Sequence, residues 1–274
     1  MMRKLCLFLI SSMLLIGFEA FPDAKHPKTG EQLVYEAVKV RGSVIVDGDL
    51  REWKLANKLE INCKEQIYKI FQGDWTGPDD CSAIVYVMWD EGHIYIAADI
   101  KDDKLICAQT GGTIWKNECI EVLFDPNNVD INPGNWPHTS HYQFGFAPLT
   151  PKGKGWKDVP QKWVWCHSDR AQANQEPNYV EVASKVSDPY TGYTIEAAID
   201  VSGLDDLKPE EGRVMGFQVA IDDADENPER DLQITWSGKE AHDQQFGFGD
   251  IVFVGPAAVR PSGKLAAMWG ELKR

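Results

Sequence analysis

The sequence predicts an all-β protein, a single antiparallel β-sandwich with long end loops. Short runs of alternating polar and apolar residues recur about every ten residues, which is typical of a sandwich. No stretch has the ten or more residues of 3.6-residue periodicity that a packed helix shows. Segments rich in Gly, Pro and Asn separate the alternating runs. These three observations favour one all-β fold.

The clearest strands lie in AIVYVMWDEGHIYIAADI (83–100), where Asp90-Glu91-Gly92 joins two alternating runs into a predicted hairpin. Before it, an early pair is predicted at EAVKVRG and SVIVDGD, followed by a short helical turn at LREWKLA. The remaining predicted strands cover residues 118–125, 141–147, 179–186, 193–200, 214–223, 232–236 and 250–254.

Two long segments are predicted as loops, residues 125–141 and 148–177. Both are rich in Gly, Pro and Asn, yet they contain four tryptophans: Trp136, Trp156, Trp163 and Trp165. Long loops in compact domains are often functional. We therefore expect these segments to border a site.

The chain divides into three parts. Arg3 and Lys4 precede an apolar run over residues 5–18 that is too short to span a bilayer. This pattern predicts a signal peptide over residues 1–20 and a secreted or periplasmic protein without membrane insertion. Residues 33–256 are predicted to form one domain, and residues 257–274 a C-terminal tail.

The charge balance narrows the choice of partner. The chain has a net charge of −14, and residues 1–20 contribute +1, so the exported chain would carry −15. Such a charge argues against binding nucleic acid or anionic membrane surfaces. Neutral ligands and divalent cations remain compatible with it.

Five cysteines follow the predicted signal peptide: Cys63, Cys81, Cys107, Cys119 and Cys166. In an oxidising compartment one or two disulfides are expected, with an odd thiol left over. Cys107 with Cys119 and Cys63 with Cys81 are two pairings among several that the sequence allows.

Catalysis finds little support in the sequence. The G-x-S-x-G, H-E-x-x-H, P-loop and G-x-G-x-x-G motifs are all absent. A glycoside hydrolase needs two carboxylates facing each other across the sugar. Glu118 and Glu121 are three residues apart on a predicted strand, so they point to opposite faces. The sequence therefore favours a non-catalytic protein.

The stretch TIWKNECIEVLFDP (113–126) offers two interpretations of Trp115. Ile120, Val122 and Phe124 share one face of the predicted strand, and this is the core face. Glu121 lies on the other face, where Trp115 and Glu121 could bind the apolar face and the hydroxyls of a sugar. Alternatively, Trp115 belongs to the core, because tryptophan is usually well buried.

Two acidic turns are candidate calcium sites. DIKDDKL (99–105) and DDADENPERD (222–231) cluster carboxylates, the ligands that Ca²⁺ prefers. The candidate ligands are Asp99, Asp102, Asp222 and Asp225. The other interpretation is a pair of solvated acidic turns.

Three segments in this order resemble the family 9 carbohydrate-binding modules and their DOMON-like relatives: residues 44–56, 83–103 and 113–126. FQVAIDDADENPERDLQITWSG and FGFGDIVF resemble the closing strands of the same family. The resemblance implies an exported sandwich of the immunoglobulin-like or jelly-roll type that carries structural calcium. It also implies that a carbohydrate chain end is held between two tryptophans, in a protein that acts beside polysaccharide-degrading enzymes.

The resemblance assigns site residues by position. Trp115 matches the first tryptophan, Glu121 matches the acidic residue, and Trp236 is the candidate second tryptophan. On the following strand, sugar-binding members tend to carry Arg and Asn, where this chain has Gln143 between two aromatic residues. Gln143 is therefore the remaining hydrogen-bonding candidate.

Alternatives to sugar binding remain open at the level of sequence. One is a scaffold that has lost the sugar site and contacts extracellular protein partners. Another is a haem-binding DOMON-like domain with axial ligands among Met88, Met215, His93 and His141.

Overall fold

The computed structural model describes residues 24–129, 136–152, 155–157, 159–226, 228–242 and 247–256. The predicted signal peptide (1–20) and C-terminal tail (257–274) lie outside the described residues.

Strands account for nearly all of the regular structure, and the helices are short 3₁₀ turns. The strands are β1 (Val34–Lys39), β2 (Leu59–Ile61), β3 (Ile67–Ile70), β4 (Cys81–Trp89), β5 (His93–Asp102), β6 (Cys119–Asp125), β7 (Tyr142–Ala147), β8 (Thr150–Lys152), β9 (Gly155–Lys157), β10 (Gln161–Cys166), β11 (Val180–Val186), β12 (Gly192–Asp200), β13 (Val214–Asp223), β14 (Leu232–Thr235) and β15 (Gly249–Pro256). The 3₁₀ helices are Leu50–Leu55, Lys64–Gln66, Gly111–Lys116 and Arg170–Gln172.

One large sheet contains all of these strands except β8 and β9, which pair with each other. Its main path runs β10-β7-β6-β13-β15-β1-β4-β5-β12-β11, with β14 and β3 added beside β13 and β2 added beside β4. The two end strands approach each other, and Lys162 of β10 donates a hydrogen bond to the carbonyl of Val180 on β11. The sheet is therefore curved and nearly barrel-shaped.

The all-β prediction is confirmed, but the pairing is not antiparallel throughout. β1 pairs in parallel with both β15 and β4, and so joins the two halves of the sheet. Alternation along a strand reports which face is buried and carries no information about the direction of its partner. The sequence pattern therefore could not predict that β1 pairs in parallel with its two neighbours.

Most predicted strands form where expected. The hairpin of β4 and β5 turns at Asp90, whose backbone N–H donates to the carbonyl of His93 at 3.0 Å. Residues 43–49 were predicted as a strand, and that prediction is wrong. The valines of this segment instead pack against a small cluster around Trp53 as irregular chain. The predicted loop 148–177 is also wrong in part, since it contains β8, β9 and β10.

The main core lies inside the curve of the sheet. Ile120, Val122 and Phe124 of β6 are fully buried there, as predicted. The opposite face of β6 is buried as well, because loops cover it. Both faces of this strand are therefore available to hold buried polar groups.

The disulfide expectation is not met within the described residues. All five cysteines after residue 20 are buried, and none of them forms a disulfide. Burial raises the pKa of the Cys107 thiol to about 12. These side chains act as small apolar core residues. Among the helices of the described ranges, none has the length and apolar character needed to cross a membrane.

Glu196 anchors the irregular segment 43–49 to the sheet. Its carboxylate is fully buried and accepts hydrogen bonds from Trp53 Nε1 at 2.6 Å and from the backbone N–H groups of Asp47 and Gly48 at 3.0 and 2.6 Å. Two backbone donors of this segment and the indole of Trp53, in the helix that follows it, thus depend on a single carboxylate on β12.

We expect Glu196→Ala to lower the free energy of unfolding by about 2–4 kcal/mol, because it leaves buried donors without an acceptor. Urea denaturation measures the change. Glu181→Ala, on the exposed side of β11, is the matched control and should change stability by about 0.5 kcal/mol or less. Equal losses in the two variants would contradict the anchoring role.

Candidate functional site

A cleft lined by tryptophans lies on the face of β6 and β7 that points away from the main core. Its volume is about 280 Å³, and its lining comprises Gly112, Trp115, Glu121, Trp136, Gln143, Trp165, Arg230 and His242. We call it the tryptophan cleft. Aromatic rings form its walls and charged and amide groups form its floor.

Trp115 is positioned by the 3₁₀ helix Gly111–Lys116, which leads directly into β6. Ile114 buries the underside of this helix completely. Asn117 then closes the turn, accepting from the Gln109 backbone N–H at 2.8 Å and donating to the Gln109 carbonyl at 3.0 Å. Trp115 remains half-buried beside this fixed turn.

Trp165 of β10 forms the second aromatic wall and ties the helix to the sheet. Its indole N–H donates to the Gly112 carbonyl at 2.9 Å. The ring lies directly over Gly145 of β7, where a Cβ atom would come within 2.3 Å of it. Only glycine leaves room for this ring at that position.

The floor of the cleft is a buried network of carboxylates and amides. Glu121 accepts from Gln143 Nε2 at 2.6 Å, and Asp222 of β13 accepts from Gln233 Nε2 at 2.9 Å. Arg230 Nη1 contacts Asp222 at 2.7 Å and lies 3.8 Å from Glu121. Its guanidinium carbon also lies 4.9 Å from the ring centre of Trp115. The network thus links the aromatic wall to the floor.

The electrostatics of the floor are unbalanced. Burial and the neighbouring Asp222 carboxylate raise the pKa of Glu121 well above its usual value. Burial alone would lower the pKa of Arg230, but the Asp222 and Glu121 carboxylates outweigh it and raise that pKa. Two buried carboxylates therefore share one guanidinium.

Three of the four predicted site residues line this cleft: Trp115, Glu121 and Gln143. Trp236 does not. It is 6% exposed in the main core, and its ring packs edge-on against Phe217 at 5.8 Å. Trp236 follows β14 directly and turns inward onto β13, which its sequence spacing could not show.

The sequence analysis missed Arg230 and His242 as site residues, and it placed Trp136 and Trp165 only in loops that we expected to be functional. Trp136 is 48% exposed at the rim of the cleft. Arg230 lies in the acidic segment 222–231, where it was treated as one residue of a calcium candidate. The sequence signal that could have identified Arg230 as a site residue was its position as a lone arginine among many carboxylates.

A second polar site lies on the other side of β13, which we call the carboxylate cluster. It combines Asp102, Glu118 and Asp223, all buried, with Asp80, Asp103 and Asp225 beside them. Ligand oxygens within each of these two triplets lie within 4.8 Å of one another. Asp231 lines the same depression.

Many oxygens of this cluster lack a hydrogen-bond partner among the described residues. They are Asp102 Oδ2, Glu118 Oε2, both oxygens of Asp223, Asp225 Oδ1 and Asp231 Oδ1. Burial and the nearby Asp102 carboxylate raise the pKa of Asp223 to about 10, and the same causes raise that of Glu118. Ca²⁺ takes six to eight oxygen ligands, so this donor set fits a calcium ion.

The predicted calcium ligands are divided by the structure. Asp102 and Asp225 belong to the carboxylate cluster. Asp99 is exposed on β5, and Asp222 faces the tryptophan cleft beside Arg230. Asp222 and Asp223 are neighbours on a strand and therefore point to opposite faces. Asp80 and Glu118 were missed because they lie in segments distant from both acidic turns, whereas Asp223 lies within the predicted turn 222–231 but was not named as a ligand.

A family model described as carbohydrate family 9 binding domain-like matches residues 46–255. The chain belongs to carbohydrate-binding module family 9. Members of this family are non-catalytic, which confirms the prediction that the domain is not an enzyme and confirms the family that the sequence resembles.

The relatives of this family 9 module are large enzymes, and the module matches only a part of each. Exoglucanase XynX of Acetivibrio thermocellus is 26% identical over 234 residues, covering 84% of this chain and 18% of the relative. Endo-1,4-beta-xylanase A of Thermotoga maritima is 24% identical over 197 residues, covering 72% of this chain and 15% of the relative. The chain thus spans less than a fifth of the length of these relatives.

Solved structures show the same fold. A family 9 module from Caldicellulosiruptor kristjanssonii in complex with cellotriose has a TM-score of 0.57 and 18% identity, covering 85% of this chain and all of that chain. A structure of a family 9 module from the same organism in complex with glucose has a TM-score of 0.54 and 18% identity, covering 84% of this chain and 99% of that chain.

We expect Trp236→Ala to lower the free energy of unfolding by about 3–5 kcal/mol, because it empties a large volume of the core. Trp136→Ala removes an identical side chain from the rim and should cost about 0.5 kcal/mol or less. Chemical denaturation of both variants checks this. Similar losses would contradict the placement of Trp236 in the core and Trp136 at the rim.

Proposed function

We propose that this family 9 module binds the end of a neutral β-1,4-linked polysaccharide in the tryptophan cleft. The observation that carries the proposal is a half-buried Trp115 directly beside a buried floor of Glu121, Gln143 and Arg230. Sugars present apolar faces and hydroxyl rims, so they need both kinds of surface in one site.

The size of the cleft supports a short sugar segment as its ligand. Its volume of about 280 Å³ lies just below the range of about 300 to 1,000 Å³ that small-molecule sites cover. The similar solved structures contain glucose and cellotriose, ligands of one and three sugar rings. One or two sugar rings would occupy the cleft, with the rest of the polysaccharide outside.

Trp136 takes the place that Trp236 was expected to fill. Its half-exposed ring stands at the rim of the cleft, and Trp115 stands at the wall. A sugar face would pack on Trp115 while Trp136 covers the ring from the solvent side. Glu121, Gln143 and Arg230 would bond the hydroxyls.

The charge of the floor argues for neutral sugars. The guanidinium of Arg230 is already paired with Asp222 at 2.7 Å and lies 3.8 Å from Glu121, so this cation is not open to the carboxylate of an acidic sugar. A uronic acid would bring a further carboxylate close to this floor, where like charges repel. The overall net charge of −14 acts in the same direction.

We further propose that a structural calcium ion occupies the carboxylate cluster. Asp102, Glu118 and Asp223 would ligate it from the buried side, with Asp80, Asp103 and Asp225 closer to solvent. The ion would neutralise the buried carboxylates and hold the segment 222–231, which also carries Arg230 into the cleft. Calcium would thereby support the sugar site from the opposite face of β13.

We propose that the protein is exported by the signal peptide predicted over residues 1–20 and is secreted or periplasmic. There it would attach to polysaccharide beside enzymes such as the exoglucanase and the xylanase that contain similar segments. We also interpret the two halves of the curved sheet as the two layers of a β-sandwich, joined along β1.

We expect Trp115→Ala to weaken binding of cellotriose at least about thirtyfold, the loss typical of a binding hot spot of 2 kcal/mol. The melting temperature should change little, because the ring is only half-buried. Isothermal titration calorimetry and thermal melts measure the two effects. Tyr86→Ala, which deletes a half-buried aromatic ring from the small cluster around Trp53, is the control and should bind normally.

If Trp115→Ala instead lowers the melting temperature and leaves binding intact, Trp115 is a core residue and the proposed role in binding is wrong. Absence of binding to any sugar by the unmodified protein at millimolar concentration would favour the scaffold alternative.

Calcium should raise the melting temperature of the chelated protein by about 5–10 °C when present at about a hundred times its dissociation constant. Asp223→Asn should change which protein is the more stable, depending on whether calcium is present. Without calcium the variant gains stability, because the raised pKa of Asp223 means that its carboxyl must take up a proton on folding, and Asn needs none. With calcium it is less stable than the unmodified protein, because a ligand is lost.

Asp99→Asn is the matched control, since it neutralises an exposed carboxylate on β5. It should leave both melting temperatures unchanged. A chelator that has no effect on the unmodified protein would remove calcium from the proposal.

A further inference from the structure

A second cavity, of about 440 Å³, opens between the two halves of the sheet. Tyr142 of β7 and the segment after β10, which includes His167 and Ser168, line one side of it. Tyr179, which precedes β11, and Leu204 and Asp206, which follow β12, line the other. We call it the His167 cavity. None of its lining residues belongs to the tryptophan cleft.

His167 presents an unsatisfied donor beside this cavity. The side chain is 3% exposed, and its Nδ1 accepts the backbone N–H of Asp169 at 2.9 Å. A backbone N–H can only donate, so the proton of the neutral ring is on Nε2. Nε2 is buried and has no hydrogen-bond partner among the described residues. Burial lowers the pKa of His167, which keeps the ring neutral.

Tyr179 adds a second unsatisfied group. Its hydroxyl is buried without a partner in the described part of the chain. The ring is held edge-on against Phe144 at 6.4 Å and against His167 at 6.0 Å. Two rings that line one cavity thus each carry a buried hydrogen-bonding group without a partner among the described residues. A buried polar group without a partner costs about 1–3 kcal/mol, so such a pair is unusual unless a ligand or water completes it.

The Tyr142 hydroxyl beside these two rings is already paired within the protein. Tyr142 donates its single hydroxyl proton to Asp206 Oδ1 at 2.6 Å. Ser168 Oγ lies 2.6 Å from the same hydroxyl and must therefore be the donor of that pair. This series of hydrogen bonds, from Ser168 through Tyr142 to Asp206, fixes the wall of the cavity.

The charges of the lining define the chemical class of a ligand. Asp169, Asp200 and Asp206 line the cavity, and its described lining contains neither lysine nor arginine. These carboxylates repel anions. A metal cation gains nothing from His167, whose open nitrogen carries a proton. A neutral group that both accepts and donates hydrogen bonds fits, and hydroxyls have this property.

We propose that the His167 cavity is a second binding site, for a neutral polyhydroxyl ligand such as a sugar ring or polyol. His167 Nε2 and the Tyr179 hydroxyl bond its hydroxyl oxygens, and the carboxylates accept its hydroxyl protons. Tyr142 and Gln143 are adjacent on β7 and point to opposite faces, so the two sites lie on the two sides of the same strands. Sugar could then occupy both at once.

The test uses the Trp115→Ala protein, in which the tryptophan cleft is disabled, and titrates it with glucose, xylose and glycerol by ¹H–¹⁵N NMR. We expect saturable shifts of the amides of residues 167–169 and 202–206, with dissociation constants on the order of 1–10 mM. Adding Tyr179→Phe should weaken this binding at least about fivefold, since it removes only the hydroxyl. The melting temperature should hold or rise, because that hydroxyl has no protein partner.

Two outcomes overturn the proposal: no shift of these amides up to about 100 mM of each compound, and equal affinity with and without Tyr179→Phe. The unmodified protein separates this failure from failure of the cleft. Shifts at Trp115 and Gln143 without shifts at residues 167–169 would leave the cleft intact and remove the second site.

Discussion

Buried carboxylates on the paired strands β6 and β13, and on Glu118 directly before β6, are the constraint on which the rest of this structure depends. Glu118, Glu121, Asp222 and Asp223 are each at most 2% exposed. Isolated buried charges are very costly, so each must have a compensating partner. The protein solves this differently on the two faces of the same strand pair.

On the outer face the compensation is internal. Arg230, Gln143 and Gln233 surround Glu121 and Asp222, and the resulting polar floor becomes the base of an aromatic cleft. On the other side, Glu118 and Asp223 meet Asp102, and the protein supplies too few donors for their oxygens. The first arrangement suits a ligand that exchanges hydrogen bonds. The second suits a cation. One register of β6 against β13 thus generates both sites.

Much of this arrangement was visible in the sequence. Period-two alternation correctly assigned Ile120, Val122 and Phe124 to the core and separated Glu118 from Glu121. The family resemblance added Trp115, Glu121 and Gln143, which the structure brings together. It failed at Trp236, which was chosen by order along the chain while the residue packs onto Phe217. The alternating pattern was wrong at residues 43–49, whose valines pack against a small core around Trp53 although the segment forms no strand.

The sequence by itself determined which faces of the strands are buried and which family the chain resembles, because both are written in local spacing. Only the tertiary structure decided which distant groups share a site. Trp136 and Arg230 reach the cleft from loops, and Asp80, Glu118 and Asp223 meet from three separate segments. His167 and Tyr179 line one cavity from opposite halves of the sheet. Such contacts depend on how strands pair and how the sheet curves, and local periodicity carries no record of either.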